Sequence, residues 1–275
     1  AALTVDSQGK IASCMIDAVQ AKVNFTTAGK ITTDLAAGVK TKNELGTAYG
    51  MKKSSGIGKE WNEQAAAFAA YVTGKTLDEV KGIAVNAEGY STDADLKASV
   101  TIHISGLIGV VEKAYNSAAS LGAKAGDKLG LGIVTDLSDS AGAGSDPGLA
   151  QAYSTYAAVT FDAQGKITSS VIDAYQGKVN FSKAGKLTTD LKTAQKTKNE
   201  LGDAYGMKKN SGIGKEWNEQ AAAFSDYIKG KTVADVKGIA VDAETHPTKE
   251  DLKATVTVSV GGFKTVVEKA SANAK

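Results

Sequence analysis

Few residues of this 275-residue chain have the types and spacing that catalysis or metal binding requires. Its one cysteine, Cys14, lies in the segment KIASCMIDAV, and its two histidines, His103 and His246, are far apart in the sequence. The segment around Cys14 returns as KITSSVIDAY, with Ser170 at the position of the cysteine. A single thiol that a second copy replaces with serine forms no intrachain disulfide and is not a shared nucleophile.

The recurrence covers most of the chain. AALTVDSQGKI at residue 1 returns as AAVTFDAQGKI at residue 157, an offset of 157 − 1 = 156 residues, and the match continues without a gap to the end. A period of this length indicates tandem domains rather than a solenoid or a propeller. We predict a first domain at 1–119 (repeat 1), a linker at 120–127 and a second domain at 128–275 (repeat 2), which has an extra N-terminal strand.

Neither histidine is common to the two copies, because the counterpart of His103 is Ser259 and that of His246 is Tyr90. A shared Ser/His/Asp site is therefore excluded, and no cluster has metal-ligand spacing. The acidic residues that both copies place beside the WNEQ segment are explained by the dipole of the helix they begin. We predict that the protein is not an enzyme and binds no metal.

Two loop segments stay identical between the copies, and surface loops are otherwise free to vary. They are YGMKK and the SGIG turn, which precedes a tryptophan. The glycines could hold an anion at a helix N-terminus or serve as a flexible entry, and recent duplication explains the identity equally well. We predict that the two segments lie side by side and form a ligand or partner surface. Its residues are Tyr49, Met51, Lys52, Ser55, Gly56, Gly58 and Trp61, with Tyr205, Met207, Lys208, Ser211, Gly212, Gly214 and Trp217.

Hydrophobic periodicity predicts the elements that carry these loops. Alternating residues on both sides of DSQG and DAQG predict a hairpin, which KVNF continues, and residues 26–55 read as a long loop with short helical turns. EWNEQAAAF predicts a helix, as does the run that closes each copy, and TLDEV has a capping-box pattern. Alternation in ASVTIHI and ATVTVSV predicts strands, and Thr92 and Thr248 are predicted caps. The fold class is α+β, with two homologous domains that each have an antiparallel sheet and helices on one face.

The composition limits the range of partners. The 32 basic residues are all lysines and are balanced by 30 acidic ones, which gives a net charge of +2. Without arginine or a basic cluster, nucleic acid is not an expected partner. No apolar run is long enough for a transmembrane segment. The chain opens on AALTV without methionine, as a processed or trimmed product would.

The closing segment DLKASVTIHISGLIGVVEKA resembles the end of the FMN-binding domain family, small exported bacterial modules that are often tandem and lipid-anchored. The DSQGKI and DAQGKI turns, the GIGxxW helix entry and LGLGIVTDL resemble further parts of that family. The resemblance implies that FMN can be esterified to Thr101 and Thr257, each six residues after an aspartate, Asp95 or Asp251. The chain departs from the acceptor signature, with Ala98 and Ala254 at its serine and valine before each threonine.

From this resemblance we predict an extracellular or cell-surface bacterial protein that acts as a binding or structural module and has no obligatory cofactor. The alternative is a flavin-carrying electron-transfer lipoprotein with FMN on Thr101 and Thr257, and a membrane tether outside this sequence would suit either. A third alternative, a solute-binding protein, needs a cleft between the copies.

The segment Leu129–Leu137 has no counterpart in repeat 1, because the offset places one before Ala1. If this strand pairs with AQAYSTYAAVTF, the hairpin of repeat 1 keeps an unpaired edge, which natural proteins rarely leave bare. Either the chain is trimmed, or the edge at Leu3–Val5 accepts a strand from another chain, giving a head-to-tail filament or a ring.

Overall fold

A computed structural model describes residues 1–193 and 195–275, and it confirms the α+β fold. In repeat 1 a short hairpin is followed by a long segment that contains the helices. Its elements are β1 (Ala2–Val5), β2 (Ile11–Met15), α1 (Lys42–Leu45), a 3₁₀ helix (Gly46–Tyr49), α2 (Trp61–Val72), α3 (Leu77–Lys81), α4 (Ala94–Lys97) and α5 (Ser105–Asn116).

Repeat 2 has the same helices in the same order on a larger sheet. Its elements are β3 (Lys128–Asp136), β4 (Gly148–Phe161), β5 (Ile167–Phe181), α6 (Lys198–Leu201), a 3₁₀ helix (Gly202–Tyr205), α7 (Trp217–Ile228), α8 (Val233–Lys237), α9 (Glu250–Lys253) and α10 (Gly261–Asn273). The antiparallel order is β3-β4-β5, so the segment between the copies pairs with β4, as the short connection predicted.

The hairpin of repeat 2 is longer than the hairpin of repeat 1. In repeat 2 the second half of β5 pairs with the first half of β4, from Gly148 onward, and KVNF is part of the strand. In repeat 1 the corresponding strand β2 ends at Met15, and Phe25 forms an isolated bridge with Ile31. The prediction that KVNF extends the sheet is therefore confirmed in repeat 2 and wrong in repeat 1.

The strands predicted at ASVTIHI and ATVTVSV are also wrong. Both segments are irregular turns between two helices. The backbone N–H of Thr101 donates to the buried side chain of Gln64, and that of Thr257 donates to the buried side chain of Gln220. The predicted helix caps one residue earlier are wrong as well, since α4 is capped by Asp93 and α9 begins after Lys249.

Helix α10 lies directly on β3 because two glycines remove the side chains between them. A Cβ on Gly132 would lie 1.8 Å from the Val266 carbonyl oxygen, and one on Gly130 would lie 2.0 Å from that of Ala270. The buried residues of β4, β5, α7 and α10 form the core of repeat 2. A separate, smaller core lies between β2, α2 and α5 in repeat 1.

The two repeats contact each other through equivalent residues. The Lys113 ammonium lies 2.7 Å from Glu200, and the Lys269 ammonium lies 2.6 Å from Glu44, two pairs that the 156-residue offset interchanges (113 + 156 = 269; 44 + 156 = 200). Phe25 stacks on its own counterpart, Phe181, with ring centroids 3.9 Å apart. Such pairs are what a two-fold arrangement produces. Repeat 1 and repeat 2 therefore pack as the halves of a symmetric dimer do.

Within the described residues, β1 pairs with β2 and with no second strand, so its other edge has free backbone groups. Ala2 on this strand is buried against Leu129 and Leu131 of β3, which covers one face of β1 but leaves that edge unpaired. Assembly through Leu3–Val5 stays a prediction. No helix among the described residues is long and apolar enough to cross a membrane, and no acidic, histidine or cysteine cluster among them could hold a metal.

Candidate functional site

A buried lysine in repeat 2, Lys198, is the centre of the candidate site. It is the first residue of α6, whose N-terminus is closed by a capping box between Thr197 and Glu200. The side chain of Asn199 donates to the Ile172 carbonyl oxygen at 3.1 Å, which fixes α6 to β5. These local bonds turn the side chain of Lys198 inward, where it is 6% exposed.

Three aromatic rings surround the Lys198 ammonium. Its Nζ lies 4.6 Å from the ring centroids of Tyr153 and Tyr205 and 4.8 Å from that of Trp217, within the range of cation–π attraction. It also donates a hydrogen bond to the Tyr153 hydroxyl at 3.0 Å. No carboxylate of a described residue forms a salt bridge with it. Lys198 is therefore a buried cation with aromatic neighbours and, within the described part of the chain, no salt-bridge partner.

This environment changes the acidity of both partners. The pKa of Lys198 is lowered to about 8, mainly by burial and also by Lys178, while Asp173 opposes the shift. Burial raises the pKa of Tyr153 to about 12, so its phenol keeps its proton across the neutral range. At pH 7 Lys198 is mostly an ammonium, with a larger neutral fraction than an ordinary lysine has.

A buried carboxylate positions the loop that carries Tyr205. Glu216, 2% exposed, accepts from the backbone N–H groups of Met207 at 2.8 Å and Lys208 at 2.9 Å. It is also the N-cap of α7, with a capping box to Glu219. The loop and the start of α7 are therefore joined through Glu216, whose own N–H donates to the Glu219 carboxylate at 2.8 Å.

A second buried polar residue, Gln220, joins the SGIG turn to the threonine segment. Its side-chain oxygen accepts from the N–H groups of Thr257 at 2.7 Å and Val258 at 3.1 Å, and the Thr257 hydroxyl lies 3.2 Å away. Its amide nitrogen donates to the hydroxyl of Ser211 at 3.2 Å and to the Lys215 carbonyl oxygen at 3.3 Å. The Gln220 side chain thus accepts the backbone hydrogen bonds that a neighbouring strand would accept in a sheet.

These parts line a cavity of about 470 Å³ in repeat 2 that is open to solvent on one side. The residues of the predicted surface that line it are Tyr205, Met207, Ser211, Gly212 and Trp217, and Thr257 also lines it. Its other walls include Tyr153, Lys198, His246 and Phe263. The predicted surface residues Lys208 and Gly214 lie outside it and are exposed, as is Asp251 on α9. The structure thus brings the YGMKK loop, the SGIG turn and Thr257 together, and leaves Asp251 apart from them.

In repeat 1 the counterparts of these residues keep much of the arrangement. The Lys42 ammonium lies 4.7 Å from the Tyr49 ring and 4.8 Å from that of Trp61, and Glu60 accepts from the N–H groups of Met51 and Lys52. The hydroxyl of Ser55 accepts from Gln64, beside Gly56 and Gly58 in the turn, and the N–H of Thr101 donates to Gln64. Thr101 and Asp95 are exposed. Among the described residues, two aromatic rings lie beside the Lys42 ammonium and three beside that of Lys198.

Three residues that build the site were not predicted from the sequence: Lys198, Gln220 and Tyr153. Gln220 had a readable signal, because it lies three residues after Trp217 on the apolar face of a helix that both copies share, where a polar residue is unexpected. Lys198 is one of 32 lysines in a lysine-rich chain, and its burial depends on Tyr153, which is distant in sequence.

Comparisons with known proteins do not assign a family. No protein-family model matches the chain, and no solved structure matches it. A curated protein described as chlorophenol reductase, from Desulfitobacterium hafniense, is 58% identical over 41 residues. That match spans 15% of this chain and 12% of the reductase.

Proposed function

We propose that this chain is a non-enzymatic binding protein whose repeat 2 holds a small, planar aromatic ligand with an anionic group. One observation carries the proposal: the buried Lys198 has no carboxylate partner among the described residues. Burying a cation costs free energy unless a partner compensates it. Aromatic faces supply part of that compensation, and an anionic group on a ligand would supply the rest.

The walls of the cavity suit an aromatic ligand. Trp217 meets Phe263 edge to face, with ring centroids 5.5 Å apart, and Tyr205 lies across the cavity. A volume of about 470 Å³ is within the range of sites for small organic molecules, which combine apolar walls with a few convergent polar groups. Here those polar groups are Lys198, Tyr153 and Thr257.

Binding of FMN and riboflavin, which differ by one phosphate, tests the role of Lys198. A charge-assisted contact is worth about 1.5–3 kcal/mol, so Lys198→Met is expected to weaken FMN binding by about 10- to 100-fold. Riboflavin binding should change little. Fluorescence quenching during titration measures both affinities.

Lys42→Met is the matched control, since it removes the corresponding lysine from repeat 1, where two described rings lie beside the ammonium instead of three. It should change the affinity for FMN by less than about two-fold, because the proposed site lies in repeat 2. Equal affinities for FMN and riboflavin, or equal effects of the two substitutions, would contradict the proposed role of the cation.

A second candidate function, a flavin-carrying electron-transfer protein, is favoured by the position of Thr257. Thr257 lines the cavity in a turn rather than inside a strand, and its hydroxyl lies 3.2 Å from the side-chain oxygen of Gln220. The 41 residues that match a protein named as a reductase are compatible with a redox role.

Intact mass spectrometry of protein purified from its source separates this candidate from reversible binding. Reversible binding predicts the mass of the unmodified chain. An FMN ester predicts an added flavin mass that Thr257→Ala removes and that Thr101→Ala does not, because Thr101 is exposed whereas Thr257 lines the cavity. A mass excess that survives both substitutions would exclude the two threonines as acceptors. The cell-surface location and the possible lipid anchor remain parts of the proposal.

A further inference from the structure

We propose that Lys198 is a covalent attachment site for small aromatic aldehydes, which it would bind as an imine through its side-chain amine. The inference rests on the cavity being accessible to ligands, as in the proposed function, but it concerns the reactivity of one nitrogen rather than the affinity for an anion. It arises from the geometry around the Lys198 Nζ. Three described aromatic rings lie beside this atom, whereas two lie beside the Nζ of Lys42.

A lysine reacts with carbonyl compounds as the neutral amine, and a desolvated lysine loses its proton more readily. Lys198 is 6% exposed, lies among three rings and has no carboxylate partner among the described residues to hold the proton on it. The lowering of its pKa to about 8 agrees with this arrangement. At pH 7 its neutral fraction is then roughly 200-fold that of an ordinary lysine.

The charged and titratable groups around Lys198 come from each neighbouring element. They are Tyr153 on β4, Asp173 and Lys178 on β5, Tyr205 on the 3₁₀ helix, Glu216 at the start of α7, and His246 in the cavity wall. The Asp173 carboxylate accepts from the Tyr156 hydroxyl and from backbone N–H groups, and the Glu216 carboxylate accepts from the N–H groups of Met207 and Lys208. Lys178 and Asp173 act in opposite directions on the amine, so burial dominates.

The chemical step balances within the site. The lone pair of the neutral Lys198 amine attacks the aldehyde carbon, and one proton passes from nitrogen to the former carbonyl oxygen to give a carbinolamine. The hydroxyl leaves as water while the C=N bond forms. The Tyr153 hydroxyl, 3.0 Å from Nζ, is protonated in the neutral range, so it can donate a proton to the departing oxygen and recover one from the nitrogen. Imine formation needs no oxidant or reductant.

The test uses pyridoxal 5′-phosphate, an aromatic aldehyde with a phosphate, followed by borohydride, which reduces an imine to a stable secondary amine. Peptide mapping of the wild-type chain after a short exposure at pH 7 is expected to show modification of Lys198 at least about 10-fold faster than that of Lys42 or any other lysine, since its neutral fraction is larger. The rate should rise with pH and level off above about pH 8. Modification of Lys198 at the rate of the surface lysines overturns the inference, and this needs no variant.

Two further measurements keep this result separate from the proposed function. Pyridoxine 5′-phosphate has an alcohol in place of the aldehyde, so its affinity reports reversible binding alone. If it binds in a Lys198-dependent way while the aldehyde gives no adduct at Lys198, the inference fails and the proposed function stands. Tyr153→Phe keeps the ring and removes the hydroxyl, and it is expected to slow adduct formation several-fold while leaving the circular dichroism spectrum unchanged. An unchanged rate would remove Tyr153 from the step.

Discussion

Replacing Gly132 with alanine is expected to destabilise repeat 2 by about 3 kcal/mol or more, at the upper end of the cost of overpacking a core. The added Cβ would lie 1.8 Å from the Val266 carbonyl oxygen, an atom of the α10 backbone that cannot rotate away. The helix would have to move off β3, which exposes apolar residues of the core on both elements. Urea unfolding followed by tryptophan fluorescence measures the loss, and a Trp61→Phe background makes Trp217 the one reporter.

Gly144→Ala is the matched control for this substitution. Gly144 lies in the loop between β3 and β4, and a Cβ there would have no described atom within 4 Å. Its effect should stay within about 0.5 kcal/mol, as for other surface changes. If the two variants unfold at the same urea concentration, the close approach of α10 to β3 is not a feature of the folded protein.

Replacing Gln220 with leucine is expected to have the second largest effect, a loss of about 2 kcal/mol or more together with the loss of ligand binding. Leucine fills a similar volume but accepts no hydrogen bond, so the N–H groups of Thr257 and Val258 lose their partner. Each unsatisfied buried donor costs about 1–3 kcal/mol. The freed segment would also move Thr257 away from the cavity wall.

The same change in repeat 1 separates stability from binding. Gln64 accepts from the N–H groups of Thr101 at 2.7 Å and Ile102 at 3.1 Å, the same contacts at the same distances. Gln64→Leu should therefore cost a similar free energy of unfolding and leave ligand affinity unchanged. Chemical unfolding and FMN titration of both variants check this, and a loss of binding in Gln64→Leu would place the site elsewhere.

The helices of this fold could be predicted from sequence because their signals are local. Trp61 and Phe68 have helical spacing, and Thr76 with Glu79 forms the capping box that the pattern indicated. The alternation around Thr257 was misleading, since Val256 and Val260 are buried in this turn as they would be in a strand. What decides between the two is the hydrogen-bond partner, which is the side chain of Gln220.

The site was predictable in outline and not in its centre. Identity between the copies indicated Tyr205, Met207 and Trp217, and all three line the cavity. The same identity favoured Lys208, whose backbone is held by Glu216 while its side chain is exposed. Lys198 is also a lysine and lies near Lys208 in the sequence. Only the tertiary structure shows that Lys198 is buried and Lys208 is exposed.

The paired contacts between the repeats have a consequence for the independence of the two halves. The ion pairs formed by Lys113 and Lys269 are solvent-accessible and add little stability each, so they act mainly in orientation. Because one polypeptide carries both faces, their association is unimolecular, and dilution cannot separate them as it separates free subunits. The chain therefore keeps a two-fold interface without keeping identical subunits. Positions away from that interface are free to diverge, as they have where Phe263 lines the cavity of repeat 2 and Leu107 stands in repeat 1.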